Sequence, residues 1–332
     1  MLIIGLGLAG AALAWRLAAR GLRPVVVDRG GPSATRVAAG LITPITGKRL
    51  AMAAGWRSLW PVAKRFYRSV ERAVGCELLA EQSAKRFFAS AEERALFEER
   101  LSDRSFAQLA HSLTDQLTPE GVMAPWGGVR ISPAARLDTR AVLQATRDWL
   151  AQRSAYFEAE IAIERGLVVG DSVVRVPELG LHADRVVLCT GYSPIPCWPD
   201  SQPTAPTKGE VLLVEAPGLH LGGVIHCGVW VVPEEDGRYL VGATQSRERL
   251  DCEPSEEGKS QLIDKLRAVY SGEVRVIDHR AAVRPATTDR KPLVGFSRET
   301  SRVCWLNGLG SKGALIAPAL AADLARRCDT RR

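Results

Sequence analysis

Paired cysteines are missing from this chain. Its seven cysteines fall at scattered positions without a CxxC pair, which argues against a zinc ribbon or a disulfide framework. Thiols used singly fit a reducing compartment, so a cytoplasmic location is expected. Histidine is scarce too. The five (His111, His182, His220, His226 and His279) show no metal-ligand spacing, and no metal site is expected. No apolar run reaches the roughly 20 residues of a membrane span before Arg or Gly interrupts it. Lysine is rare: of 44 basic residues 36 are arginine, spread along helices beside Glu and Asp rather than massed in one block. The formal charge of +7 therefore reads first as solvated surface and only second as a nucleic-acid footprint. Arg326-Arg327 and Arg331-Arg332 form a basic end of the same solvated kind. Repeats and low-complexity tracts are absent, and 332 residues suffice for a full core and two domains.

Glycine, by contrast, is placed with purpose at both ends. Leu2-Ile3-Ile4 reads as a short buried strand, followed by Gly5-Leu6-Gly7-Leu8-Ala9-Gly10, a helix over Ala11 to Arg20 closed by Gly21, and a strand Val25-Val26-Val27. Asp28 ends that strand 18 residues after Gly10. Together these form a dinucleotide fingerprint: glycines for a tight turn, close approach to a pyrophosphate and close helix–strand packing, and an acid for the ribose hydroxyls. An acid there also disfavours a 2′-phosphate, so NADP is not the expected ligand. The apolar first 19 residues have no basic segment ahead of them, unlike a signal peptide. At the other end, Asn307-Gly308-Leu309-Gly310-Ser311-Lys312-Gly313 opens a helix over Ala314 to Leu324. A helix N-terminus carries unsatisfied N–H groups and partial positive charge. Lys312 in its first turn is electrostatically misplaced unless an anion faces it, and a reduced flavin is the anion expected.

Between the two ends the pattern alternates. Ser33 to Pro44 is a loop of small residues, which lets backbone pass close to a flat ring. Helices are expected over roughly 54–75 and 91–101, the latter with Ser90 and Glu93 spaced as a capping box. Residues 107–135 read as strands and turns, and Asp138 N-caps a helix from Thr139 to about Arg153. Strands follow near 156–163, 166–169 and 173–176. Val186-Val187-Leu188-Cys189-Thr190-Gly191 is a buried strand entering a tight turn, with Cys189 as a small core residue. Residues 208–244 are strand-rich with a turn at Glu235-Asp236-Gly237, a helix spans about 255–270, and Val303 to Leu306 is the final strand.

These motifs resemble the D-amino-acid oxidase and glycine oxidase family of FAD enzymes from end to end. Val37-Ala38-Ala39-Gly40-Leu41 resembles the loop that wraps the isoalloxazine in that family. Val186 to Gly191 resembles its second flavin motif, with Cys-Thr-Gly for the usual Ala-Thr-Gly. Trp230-Val231-Val232-Pro233, Asp236-Gly237-Arg238 and Val241-Gly242-Ala243-Thr244 resemble its substrate-domain hairpin. Val283 to Gly295 resembles the segment carrying the substrate-carboxylate arginine, here Arg284. The fold implied is α/β: a Rossmann-like FAD-binding domain of the two-domain glutathione-reductase type (1–43, 131–200 and 285–332) with a discontinuous, strand-rich α+β substrate domain (44–130 and 201–284).

The chemistry implied is hydride transfer from an amine-bearing carbon to flavin N5, giving an imine that hydrolyses, with oxygen or another acceptor reoxidising the flavin. No side chain need act as base if the amine arrives neutral, so catalysis is mostly positioning and electrostatics. Candidate catalytic residues are Arg284, whose fork suits a carboxylate, Lys312 at the flavin N1–C2=O edge, and Trp230 near the substrate. Candidate cofactor contacts are Gly5, Gly7, Leu8, Ala9, Gly10 and Asp28 in the first unit; Arg29, Arg36, Ala38, Ala39, Gly40 and Leu41 after it; Ile161, Thr190 and Gly191 in the middle. In the closing loop Gly308, Gly310, Ser311, Lys312 and Gly313 complete the set. Lys48 and Arg49 could face the ring, and His226 receives no role.

Glycine oxidases carry Tyr where Trp230 stands and Arg where Ser311 stands, so a simple glycine site is not implied. The covalent branch uses a cysteine near Ala282, so FAD is expected to be non-covalent. The closing Gly-Leu-Gly-Ser-Lys-Gly resembles more closely the oxidase domain of the bifunctional tRNA wobble-uridine enzyme, which typically has Arg in place of Lys312. That domain removes a carboxymethyl group from a modified uridine; these 332 residues are not expected to include its methyltransferase half. Both resemblances imply oxidation of a glycine-like amine, on a small molecule or, as the less favoured case, on tRNA.

Overall fold

The structure, a computed structural model, describes residues 1–47, 49–112, 118–193 and 204–329. Its first sheet has six strands in the order 293–296, 303–307, 186–188, 2–4, 25–28, 156–158. Leu293–Phe296 is antiparallel to its neighbour and the other pairs are parallel. Leu2–Ile4 and Val186–Leu188 are buried at every residue, as central parallel strands covered on both faces must be. The helices Leu8–Ala18 and Gly313–Cys328 lie side by side and share one core with Ile3, Val26, Val187 and Leu306. Pro318 inside the second helix has no N–H to give the carbonyl of Ala314. The hydroxyl of buried Tyr67, on helix Trp56–Val74, donates to that carbonyl instead, at 2.8 Å.

The second sheet has nine strands. Its path runs Arg275–Arg284, Thr207–Glu215, Arg238–Gly242, Val229–Pro233, Ile225–Cys227, Leu79–Phe87, Gly128–Leu137, Leu41–Ile42, with Ala110–Ser112 also paired to Gly128–Leu137. Alternation sorts the two faces. Val229 and Val231 join Leu212, Val214 and Val241 under helix Glu256–Arg267, which contributes Leu262 and Leu266. Trp230, Val232, Leu213 and Leu240 face the other way, onto Ala39 and Leu41 of the small-residue loop. That contact sets one sheet against the other's cofactor loop. Leu41–Ile42 and Gly128–Leu137 both belong to this sheet, which leads us to propose domain boundaries near 40 and 138 in place of the expected 43 and 131.

Several local expectations are corrected. The first helix starts at Leu8 rather than Ala11, with Gly7 as N-cap, because the last turn of the glycine loop is already helical. The strand expected over 156–163 stops at Glu158 and a short helix occupies Ile163–Gly166. Leu79–Phe87 is a strand that the residue pattern does not announce: a bulge between Gln82 and Ala84 breaks its alternation, and two flanking strands impose its pairing. The Ser90 hydroxyl caps the Glu93 N–H at 3.3 Å as expected, but the Glu93 carboxylate returns to the Ala89 N–H at 2.9 Å rather than to Ser90. Asp138 accepts from the Ala141 N–H at 2.9 Å, as its N-cap position requires. The closing helix begins at Gly313 after a 3-10 turn over Gly310–Lys312, so Lys312 occupies the N-cap and not the first turn.

Candidate active site

The carboxyl ends of four parallel strands meet at one place. Gly5 and the Cys189-Thr190-Gly191 turn follow such strand ends, and Asp28 and Asn307 are the last residues of theirs, forming the crevice in which open α/β sheets bind ligands. A Cβ on Gly5 would lie 2.4 Å from the Cys189 carbonyl oxygen, and one on Gly10 would lie 2.0 Å from that of Gly5; the turns touch backbone to backbone. Asp28 organises the loop: its carboxylate accepts from the Leu6 N–H at 2.8 Å and the Gly30 N–H at 3.1 Å. Thr35 accepts from the Leu8 N–H at 3.2 Å, laying the small-residue loop over the glycine loop. The N–H groups of Ala9 and Gly10 have no partner among the described residues, no acid occupies the first turn, and anion binding at a helix N-terminus needs such free donors.

The closing loop is stitched to this crevice. Asn307 Nδ2 donates to the Gly191 carbonyl at 2.8 Å, its Oδ1 accepts from the Gly308 N–H at 2.9 Å, and the Gly310 N–H donates to the Pro285 carbonyl at 2.9 Å. The last bond ties the glycine turn to the residue after Arg284. Gly191 (φ +64) and Gly310 (φ +55) both present their missing side chain to open space. Thr190 Oγ1 is buried without a hydrogen-bond partner. Half-buried Lys312 has no acidic partner among the described residues; burial, with Arg290 beside it, pulls its ammonium below the usual lysine range. Free helix-end donors, an orphaned hydroxyl, an unpaired cation and glycine-lined space fit a group with a pyrophosphate and a polar ring edge.

Two glycines of the second sheet shape the facing wall. Arg284 lies flat on Gly209, where an added Cβ would meet Nη2 at 2.0 Å and Cζ at 2.5 Å. Trp230 lies on Gly242, where a Cβ would meet Cζ2 at 2.5 Å. Arg284 is half-buried, makes no ion pair or hydrogen bond among the described residues, and is lowered from the usual arginine range by burial. An unpaired, desolvated guanidinium attracts a carboxylate. Gly209 was not singled out from sequence, and Gly242 only as part of the hairpin motif; glycine inside an apolar strand, marking close approach of something to the backbone, is the signal that could have found their role.

The remaining expected residues divide. Ala39 and Gly40 are buried beside this space, and a Cβ on Gly40 (φ +71) would lie 1.8 Å from the Leu137 carbonyl oxygen. Leu8 touches Gly313, so the two glycine loops sit together as expected. Ala38 and Ser311 are exposed. Arg36 is half-buried; its N–H caps on Ser33 and its carbonyl accepts from Arg140. Arg29 is exposed and 3.7 Å from Glu160. Ile161 packs beneath Gly166, beyond the strand that pairs with Val25–Asp28. Arg49 is exposed in the turn before Ala51–Met52, and Lys48 lies outside the described residues. No group of His, Cys, Asp and Glu among the described residues could hold a metal, and no helix among them is long and apolar enough to cross a membrane.

Comparison with known proteins agrees with this arrangement. The sequence pattern of the DAO family, FAD dependent oxidoreductase, matches residues 1–327. The uncharacterized oxidoreductase YurR of Bacillus subtilis (strain 168) is 27% identical over 360 residues, covering 98% of this chain and 93% of that protein. The tRNA 5-methylaminomethyl-2-thiouridine biosynthesis bifunctional protein MnmC of Caulobacter sp. (strain K31) is 27% identical over 342 residues. That match covers 98% of this chain and 53% of the bifunctional protein, so the chain spans about half its length. The crystal structure of glycine oxidase from Bacillus cereus ATCC 14579 superposes with a TM-score of 0.82 at 19% identity, covering 98% of this chain and 93% of that one.

Proposed function

Because the chain belongs to the DAO family of FAD dependent oxidoreductases, we propose that it oxidises the C–N bond of an amino acid or N-substituted glycine. FAD is the cofactor, and when bound it supplies the two-electron oxidation. The rest of the chemistry falls to the chain's own residues. The unpaired guanidinium of Arg284 on Gly209 carries this reading: it binds the substrate carboxylate through two parallel hydrogen bonds. Trp230, on Gly242 and against the Ala39–Leu41 loop, walls the other side of the substrate and excludes water. Ala9, Gly10 and Asp28 hold the pyrophosphate and ribose end, Thr190 donates to the cofactor, and Lys312 faces the polar edge of its ring. Ala282, buried at 3% exposure, offers no nucleophile for a covalent link.

The amine must arrive neutral, since no carboxylate among the described residues stands in the row of Trp230 and Gly242, and the one imidazole there, that of His226, is held by burial too weakly basic to take its proton. Anaerobic mixing of the holoprotein with glycine, sarcosine, proline and D-amino acids tests the reading. Bleaching of the flavin by one class supports it and outlines the substrate. A flavin that dithionite reduces but no such amine does would contradict a small substrate.

A second reading has its own support: a uridine side chain carrying a glycine-like amine presents the same bond to the same site. The match to the bifunctional tRNA protein and the +7 charge favour it. Bleaching by tRNA bearing that modification, weakened as salt rises, would select it over the first.

Two variants probe the wall and the cation. Gly209→Ala drives a methyl into the Arg284 guanidinium, and carboxylate inhibitors are expected to bind about tenfold more weakly, roughly one charge-assisted hydrogen bond. Titration of the flavin absorbance with acetate or benzoate checks this. Lys312→Met removes the positive charge that favours the electron-rich cofactor. The midpoint potential is expected to fall by about 30 mV, equivalent to about 1.4 kcal/mol for two electrons, which dye-coupled reduction measures.

A further inference from the structure

One polar side chain on the cofactor-facing side of the nine-stranded sheet has no task in the reading above. Register pairs Arg86 with His226, His226 with Trp230, and Trp230 with Gly242. These four form one row across four strands, and side chains in one row share a face. Ile225 and Cys227, flanking His226, point into the cluster beneath helix Glu256–Arg267. The imidazole is thereby fixed on the side of Trp230, and on the opposite flank of Trp230 from Arg284. Its Nδ1 is buried and has no hydrogen-bond partner among the described residues, an arrangement that destabilises a fold unless a ligand supplies the partner.

The surroundings say what kind of partner. Arg86 next to it is already matched: Nε donates to Glu93 Oε1 at 2.8 Å, and Nη2 donates to the same oxygen and to the Gly47 carbonyl at 3.1 Å. Burial, with Arg86 beside it, pushes the His226 imidazole down to about 3, so it is neutral at any working pH. A neutral imidazole offers a donor or an acceptor but no charge.

We propose that His226 is a specificity-determining residue whose Nδ1 hydrogen-bonds a neutral polar group on the nitrogen substituent of the substrate, at the end away from the carboxylate held by Arg284. The inference rests on the proposed oxidation of an N-substituted glycine and names its substituent class: an amide, hydroxyl or pyrimidine edge. A second carboxylate would find no free cation in this row, because Glu93 already neutralises Arg86. An alkyl substituent would leave Nδ1 unpaired.

Three N-substituted glycines of matched size test it by anaerobic flavin bleaching of the holoprotein: the carbamoylmethyl amide, iminodiacetate, and N-isobutylglycine. The wild type is expected to reduce fastest with the amide, by about tenfold over each of the others, the discrimination of one buried hydrogen bond. In His226→Leu the amide-to-isobutyl ratio is expected to fall to about one, and His226→Asn, which restores a polar atom, to recover much of it. An unchanged ratio in His226→Leu, or no preference in the wild type, overturns the proposal. If His226→Leu does not retain FAD, His226→Phe, which fills the space without a polar atom, takes its place, and an amide-to-isobutyl ratio unchanged from the wild type overturns the proposal. Failure of the parent reading looks different: none of the three amines bleaches a wild-type flavin that dithionite reduces, and both fall together.

Discussion

Gly10→Ala protein is expected to purify colourless, with affinity for FAD reduced at least about 100-fold, or about 2.8 kcal/mol. The obstacle is space. A Cβ at position 10 would stand 2.0 Å from the carbonyl oxygen of Gly5 and 3.1 Å from its carbonyl carbon, and both atoms are backbone. Gly5 cannot retreat, because its N–H donates to the Val27 carbonyl at 2.8 Å and its own φ is +101. The first turn of helix Leu8–Ala18 must therefore lift off the loop, moving the free N–H groups of Ala9 and Gly10 away from the pyrophosphate. Gly7→Ala is the milder comparison, since its nearest neighbour is the Thr35 hydroxyl at 3.3 Å. The ratio of protein to flavin absorbance, followed by FAD titration of the apoprotein, measures the effect. A Gly10→Ala protein that retains stoichiometric FAD would contradict the placement of the cofactor at this helix.

Arg284→Ala is expected to lower kcat/KM for carboxylated amines by about 1,000-fold, close to 4 kcal/mol, the usual cost of truncating one partner of a desolvated, hydrogen-bonded charge pair. Arg284→Lys should recover only part of this, because an ammonium cannot reproduce the two parallel bonds of the fork. The guanidinium makes no ion pair among the described residues, so its loss leaves no protein carboxylate stranded, and the folding transition should move little. That separation of activity from stability is the useful signature. Steady-state kinetics beside thermal unfolding of the holoprotein report both, and an unchanged KM in Arg284→Ala would remove the carboxylate assignment.

The cofactor half was legible in the sequence because its constraints are local. Gly5, Gly7, Gly10 and Asp28 sit within one strand–helix–strand unit, where spacing alone brings them together. The meeting of Gly313 with Leu8 was legible for a related reason: an uncapped helix start with a lysine asks for an anion. The substrate wall was far less so. Whether His226 stands beside Trp230 or points into the opposite core depends on register, and a slip of one residue exchanges the faces. The pairing of Arg86 with His226 joins strands that are remote in sequence, one of which carries a bulge between Gln82 and Ala84, and no local pattern encodes it. Ile161 reads as strand from sequence because apolar residues after Glu158 continue the pattern, whereas the six-stranded sheet ends there.

Anaerobic reduction of the holoprotein by an N-alkylglycine, compared with its carboxamide counterpart, bears most directly on the assignment of this site. The carboxylate is expected to speed flavin bleaching by about 1,000-fold in the wild type, matching the loss on truncating Arg284, and to give no advantage in Arg284→Ala. Equal rates for the two amines in the wild type would contradict the assignment of this site to a carboxylated amine.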